Sequence, residues 1–378
     1  MFLYLGLGLC ARYAIIIAGS NGWKEYRHQA DAFYMYKILK NNGFDDDHIT
    51  MWAYNDMVNN PLNPYPGKIF HLLDNKNIYP GEDKIDFKGE NVTKHNILNY
   101  LRNMNTTKED NIFFYFNDHG TPNIICLPHD KIITSYELIR TFDQMHKEGK
   151  FNKLFFPIEA CFSGCFKESL NTPDIAMMTA ANCSTSSKGS IKGRLLDVSL
   201  SNEFSLHMMM EMESNPKHTI RSLFNNVHAK VEGSTPTLFG DHLDDPISDF
   251  IGEAPKSNLR RQAFEDLVPD EKLLHAEKYA KKEYAEEYKK HLRHMKQVAE
   301  NSEIFIRRVV EKVAGPMAPE FMNKVVTGDL QKCFEPVIDA LFSKMTEFNP
   351  DYGYLISPIK SLCTKYDSSV IIDAINTV

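Results

Sequence analysis

A chain of 378 residues with 43% hydrophobic residues and a formal net charge of −7 is long enough for two domains, at least one with a full core. The acidic balance, with basic residues interleaved among glutamates, excludes a nucleic-acid partner. The seven cysteines (Cys10, Cys126, Cys161, Cys165, Cys183, Cys333 and Cys363) match no zinc spacing, leave at least one thiol unpaired, and are too few for a disulfide scaffold.

The chain begins "MFLYLGLGLCARYAIIIAGSNG". Residues 2–11 read as a short secretory h-region with cleavage near Cys10-Ala11, although a basic n-region is missing; the alternative is one apolar segment feeding a buried first strand. No later run is long enough to span a bilayer. Strands are expected at 13–18, 48–52, 111–116, 153–158 and 175–179. Runs such as "NIFFYF" and "KLFFPI" do not alternate polar with apolar, which means burial on both faces, as in a parallel sheet covered by helices. Helical patterns fill the intervals at 26–41, 94–103, 135–147, 202–212 and 218–231, the first closed by Gly43. This alternation predicts an α/β fold with a mostly parallel sheet flanked by helices.

Composition shifts after residue 241. Residues 242–270 carry Pro246, Gly252, Pro255 and Pro269 with little periodicity and read as a linker. An all-helical region, 271–378, follows. Its first stretch, 271–297, holds eight Lys/Arg and five Glu, a net charge of +3.

Two strand ends carry chemistry. "NIFFYFNDHG" sets Asp118-His119-Gly120 just past one strand, and "KLFFPIEACFSG" sets Glu159-Ala160-Cys161 just past the next. In a parallel sheet these ends share the edge that hosts ligands, and neighbouring strands lie roughly 5 Å apart. Cys161 and His119 then form a nucleophile–acid pair, and backbone N–H groups of Gly120 and Cys161 face a developing oxyanion. Glu159 lies two residues before Cys161, on the same face while the chain stays extended, and a carboxylate there needs a cationic partner or a task. Arg27, after the first strand, is the candidate partner. Asp197, in "GRLLDVSLS", adds a second acid. An arginine flanked by two acids offers donors and acceptors together, which suits a primary carboxamide such as Asn.

The stretches "AGSNGWKEYRHQADAFYMYKIL", "NPYPGKIF", "FNDHG", "IEACFSG" and "TAAN" resemble the legumains, or asparaginyl endopeptidases, of the caspase-like cysteine peptidases, over about residues 13–241. The resemblance implies a caspase-like catalytic domain at 12–241 and cleavage after Asn, and after Asp in acid, with His119 and Cys161 catalytic. It implies a pocket for the P1 side chain (the substrate residue before the cut) at Arg27, Glu159 and Asp197, with His28 and Ser186 as further members. Asp118 matches an aspartate linked in the family to ligase behaviour. The family usually has an asparagine where this chain has Glu25, and an acid there stabilises a protonated imidazole more than an amide does.

The helical region resembles the family's activation peptide and inhibitory prodomain, mainly through "QKCFEPVIDALF" and "YGYLISPIKSLCTKY". Cys333 and Cys363 stand where the family has a disulfide, and a second family pair is missing. Asn258 is the best substitute for the usual autocleavage site. The implied partners are peptides with Asn or Asp at P1, the chain's own prodomain as inhibitor, and cystatin-type inhibitors; no cofactor is implied. Asn91 and Asn105 head glycosylation sequons, pointing to the secretory pathway and a lysosome-like compartment or the exterior. Asn182 heads a third sequon beside the crevice. Two alternatives stay open: a glycosylphosphatidylinositol transamidase-like catalytic subunit, and a catalytically dead relative acting as a binding module.

Overall fold

The computed structural model describes residues 10–74, 76–193, 198–253, 282–322, 324, 326, 328, 330–345 and 347–378. Seven strands make the main sheet: β1 (Arg12–Ala18), β2 (Ile49–Ala53), β3 (Phe87–Lys88), β4 (Asn111–Asn117), β8 (Lys153–Glu159), β9 (Ile175–Thr179) and β12 (Thr237–Gly240). Their order is β12-β9-β8-β4-β1-β2-β3, and every neighbouring pair is parallel except β12 with β9. The continuous apolar runs are buried throughout, as both-face coverage requires: Ile15, Ile16, Phe113, Phe114, Phe155 and Phe156 are each at most 1% exposed. One face packs against α1 (Tyr26–Asn41), α4 (Glu203–Ser214), α5 (Ile220–His228) and α6 (Ser248–Ile251), through Phe33, Phe204, Leu223 and Phe250. The other packs against α2 (Lys94–Arg102) and α3 (Ser135–Lys147), through Leu101, Leu138 and Phe142.

The sheet bears out the mostly parallel arrangement expected from the apolar runs, and strand positions agree to within a residue or so. Small antiparallel units were not anticipated: the strip β5 (Gly120–Thr121), β6 (Ile124–Leu127), β7 (Lys131–Thr134), and the hairpin β10 (Gly189–Gly193), β11 (Val198–Asn202). At 242–253 the structure also differs from an irregular linker. Residues Ser248–Ile251 are helical, and Ile247, Phe250 and Ile251 are buried in the sheet's core.

The C-terminal region is helical: α7 (Lys282–Ala314), α8 (Ala318–Met322), α9 (Gln331–Lys344), α10 (Ser357–Leu362) and α11 (Ser368–Thr377), with the 3-10 segment Pro350–Ile356 before α10. A disulfide joins Cys333 on α9 to Cys363 at the end of α10. Its core, built on Ile306, Val310, Ile338 and Ile359, also takes in Ile124, Ile132 and Tyr136 from the sheet domain. No helix among the described residues is long and apolar enough to cross a membrane.

Candidate active site

β4 and β8 run side by side, with Asn117 opposite Glu159 at their carboxyl ends. Beyond those ends the Asp118 N–H donates to the Glu159 carbonyl at 3.1 Å, and the Cys126 N–H donates to the His119 carbonyl at 3.0 Å, so the histidine turn is fixed from both sides. After Cys161 the chain turns sharply through Phe162, whose φ is 56°, into the 3-10 turn Ser163–Glu168. The two turns touch at Gly120: a Cβ there would lie 2.6 Å from the Cys161 carbonyl oxygen, so only glycine permits the approach. The result is one cavity of about 220 Å³ whose walls include Cys161, His119, Gly120, Arg27, Ser186 and Asn202.

Cys161 is a free, half-buried thiol whose Sγ lies 3.8 Å from both the carbonyl and the hydroxyl of Ser187. His119 Nε2 lies 2.8 Å from Glu25 Oε2 and 3.5 Å from Arg27 Nη2. Glu25 precedes α1 directly, so Arg27 and His28, in the helix's first turn, are held beside the strand ends. Arg27 Nη1 donates to the same Glu25 oxygen at 2.8 Å, and its Nε donates to Asn202 Oδ1 at 2.9 Å. Asn202 is locked in turn: its Nδ2 donates to Asp31 Oδ2 at 2.7 Å and to Asn117 Oδ1 at 3.1 Å.

The electrostatics follow from burial and this pairing. Burial alone disfavours charge on His119, but the Glu25 carboxylate outweighs it and holds the imidazole pKa above its usual value. Burial likewise opposes charge on Glu25, yet His119 and Arg27 hold its pKa well below the carboxylate range. Burial, reinforced by Arg27 and His119, pushes His28 well below the ordinary histidine value. His28 Nδ1 sits 2.7 Å from Ser20 Oγ and 3.2 Å from Asp118 Oδ1. Burial pushes Asp118 up to about 7, against the opposing pull of His119.

Glu25, His28 and His119 bring donor atoms within 4.8 Å of one another, as do Cys165, Glu168 and Cys183. In the first group one Glu25 oxygen is shared by His119 and Arg27, an ion-paired acid–base cluster with a guanidinium inside it. In the second, Cys165 and Cys183 are bonded to each other.

Arg27, His28, Asp118, His119, Gly120, Cys161 and Ser186 thus surround one cavity. Glu159 does not join them through Arg27. It is 1% exposed, its Oε2 accepts from the Ser205 N–H at 3.0 Å and the Ser205 hydroxyl at 2.9 Å, and burial with the nearby Asp31 pushes its pKa up to about 8. The cationic partner expected for Glu159 belongs to Glu25, because α1 begins beside that acid while β8 turns Glu159 toward α4. Asp197 and Asn258 lie outside the described residues, as do residues 1–9 of the expected signal segment. Asn91 and Asn105 are exposed.

Sequence reasoning missed Ser187 and Asn202, and although it assigned an inhibitory role to the C-terminal region it named none of the residues at the mouth of the cavity. Asp351, Gly353 and Tyr354 of the C-terminal region line it. Asp351 pairs with Lys24 and places Oδ1 3.8 Å from His119 Nε2. The Thr121 hydroxyl donates to the Gly353 carbonyl at 2.5 Å, and a Cβ on Gly353 would lie 2.9 Å from the Gly120 carbonyl oxygen. Farther out, Arg140 meets Glu335 at 2.9 Å and Lys360 meets Glu168 at 2.7 Å. Among these pairs, Asp351 and Glu335 bring acids to Lys24 and Arg140 of the sheet domain, and Lys360 brings a cation to Glu168.

The Peptidase C13 family profile matches residues 12–253. The chain is 29% identical over 262 residues to a hemoglobinase of Schistosoma mansoni, covering 65% of this chain and 61% of that one. It is 31% identical over 245 residues to a legumain of Rattus norvegicus, covering 61% and 56%. It is 30% identical over 280 residues to the vacuolar-processing enzyme delta-isozyme of Arabidopsis thaliana, covering 65% and 59%. The chain therefore spans roughly three fifths of the length of these relatives. Among solved structures, caspase-1 of Spodoptera frugiperda overlays with a TM-score of 0.43 at 13% identity, covering 65% of this chain and 92% of that one.

Proposed function

We infer that this chain, which belongs to the Peptidase C13 family, is a cysteine endopeptidase that cleaves after Asn, and after Asp in acid, and that is held latent by its own C-terminal helices. The observation that carries this reading is the convergence of Cys161, His119 and Gly120 on one cavity at the carboxyl ends of adjacent parallel strands. In the mechanism, the Cys161 thiolate attacks the scissile carbonyl while N–H groups of Gly120 and Cys161 receive the oxyanion. His119, kept protonated by Glu25, gives its proton to the leaving amine, and water then releases the acyl group from sulfur. Arg27, His28, Ser186 and Asp197 serve as the P1 pocket, with Asn202 holding the guanidinium. Asp118 is the residue for a transpeptidase or ligase side reaction.

The direct test is a fluorogenic Asn peptide assayed across pH on untreated and acid-treated protein. A transamidase subunit or a dead binding relative leaves this peptide uncut. The Asp/Asn cleavage ratio should rise as pH falls from about 7 to 4, because a P1 aspartate loses its charge near its ordinary pKa of about 3.9 and then resembles Asn. Glu159, whose pKa burial and Asp31 push up to about 8 and which is held by Ser205 and Ser187, is mostly protonated over this range and repels an ionised Asp only weakly. A ratio that stays constant over that range contradicts the pocket.

Glu25→Asn tests the carboxylate that holds the His119 imidazolium. Removing the carboxylate withdraws what raises the His119 pKa, so the imidazole deprotonates at lower pH. The alkaline limb of kcat/KM should move down by about one pH unit or more. An unmoved limb would show that Glu25 does not tune His119.

For the compartment we propose entry into the secretory pathway and delivery to an acidic lysosome-like site or the exterior. Exposed Asn91 and Asn105 should carry glycans, read as a mobility shift on glycosidase treatment and lost in Asn91→Gln/Asn105→Gln. Inhibition by cystatin-type proteins is part of the same family-based proposal.

A further inference from the structure

The nucleophile turn and the loop that walls the cavity are crosslinked. Cys165 lies in the 3-10 turn Ser163–Glu168, four residues past Cys161, and is fully buried. Cys183 lies in the loop after β9 that also carries Ser186 and Ser187, and a disulfide joins it to Cys165. That loop, residues 180–188, has no helix or strand of its own. Its far end is held where the Glu203 N–H donates to the Lys188 carbonyl at 2.9 Å. Between the ends, the Gly164 N–H donates to the Ala181 carbonyl and the Phe162 N–H to the Thr185 carbonyl, each at 2.9 Å. The disulfide is the covalent member of this seam. It sits between the turn that aims Cys161 and the segment whose Ser187 lies 3.8 Å from the Cys161 sulfur.

We propose that the Cys165–Cys183 disulfide is a positioning crosslink of the active site, so that a dithiol reductant lowers peptidase activity even as it keeps Cys161 a free thiol. This rests on the peptidase reading above. Cys183 is the partly exposed member and Cys165 the buried one, so the dithiol attacks the Cys183 sulfur. A mixed disulfide forms there and Cys165 leaves as a thiolate. The reagent's second thiol then closes its own ring, releasing Cys183. Two electrons and two protons pass from the dithiol to the protein sulfurs, and the reagent ends as a cyclic disulfide. Freed of the bond, loop 180–188 samples positions that take Ser186 and Ser187 off the cavity wall, and displacements of about 1 Å near reacting atoms cost up to about a hundredfold in rate.

The experiment uses the acid-treated full chain and an Asn peptide, with free thiols counted by alkylation and mass, and hydrogen exchange followed in residues 180–188. The double variant C165S/C183S should lose about tenfold in kcat/KM and be indifferent to dithiothreitol. Wild type should fall to the same level as the two thiols appear, with faster exchange in the loop. C333S/C363S, which lacks the other disulfide, should respond as wild type does. The crosslink role is overturned if C165S/C183S melts cooperatively yet keeps kcat/KM within about twofold of wild type. It is equally overturned if the two thiols are freed with no change in loop exchange. Should that variant fail to fold, the dithiol titration of wild type decides by the same readouts. Oxidised wild type with a confirmed Cys161 thiol that cleaves no peptide would sink the peptidase reading instead, and the exchange measurement still judges the crosslink.

Discussion

Cys161→Ala is expected to lower turnover of an Asn-containing peptide by about 10⁴-fold or more and to leave the fold in place. Among the described free cysteines, Cys126 is buried and Cys10 lies at the start of β1, away from the cavity, so Cys161 is the one thiol on its wall. It is half-buried in a turn, and truncation to alanine removes a single atom. The melting temperature should move little. Cys126→Ala, in the core of the small antiparallel strip, is expected to cost stability and leave turnover near wild type. Loss of turnover in Cys126→Ala to the level of Cys161→Ala, in a folded protein, would reassign the nucleophile.

The second large effect concerns latency. Gly353→Val in the intact chain should raise Asn-peptide cleavage at neutral pH by about tenfold or more before any acid treatment. The added Cβ would lie 2.9 Å from the Gly120 carbonyl oxygen and 3.1 Å from the Thr121 Cβ. Both neighbours belong to a turn held by Cys161 and by β6, so the blocking segment must move away rather than the site. Overpacking of this kind costs about 1–3 kcal/mol, and 1.4 kcal/mol is a factor of about ten in the open population. Asp351→Ala should act in the same direction by removing the charge that Lys24 and His119 hold. A chain ending after Gly252, which keeps Ile247, Phe250 and Ile251 in the core, should be active without acid. Neutral-pH activity that stays at the wild-type level in Gly353→Val would show that Pro350–Ile356 does not hold the enzyme latent.

The sheet was readable in the sequence because double-faced burial leaves short unbroken apolar runs such as 111–116 and 153–158. Helix α1 was readable from its apolar pattern and from Gly43 at its end. The strand-end rule then put His119 and Cys161 on one edge of the sheet, and the family resemblance singled them out as a pair. The hairpin of β10 and β11 was hidden, since "GSIKG" and "VSLSN" are made strands by pairing with each other rather than by side-chain pattern. The partner of Arg27 was hidden for a geometric reason: Glu25 and Glu159 are both near in chain or space, and only the helix start decides which carboxylate faces the guanidinium. The Cys165–Cys183 bond closes a loop of 18 residues, a separation with no signature of its own. Asp351 comes from a region whose docking joins residues far apart in the chain, 192 positions for Lys360 with Glu168 and 327 for Asp351 with Lys24.

The C-terminal core borrows Ile124, Ile132 and Tyr136 from the sheet domain. A peptidase that sheds its helices would therefore gain a greasy spot on its own surface, next to the turn that bears His119. Contiguous apolar patches of this kind make proteins self-associate or adhere to other chains. Activation would thus trade colloidal stability for access: the matured enzyme should bind a hydrophobic dye, clump when concentrated, and be kept dispersed by the returning helical fragment. Replacing Ile132, which lies at the rim at 9% exposure, with a polar residue should relieve the clumping while weakening rebinding of the fragment.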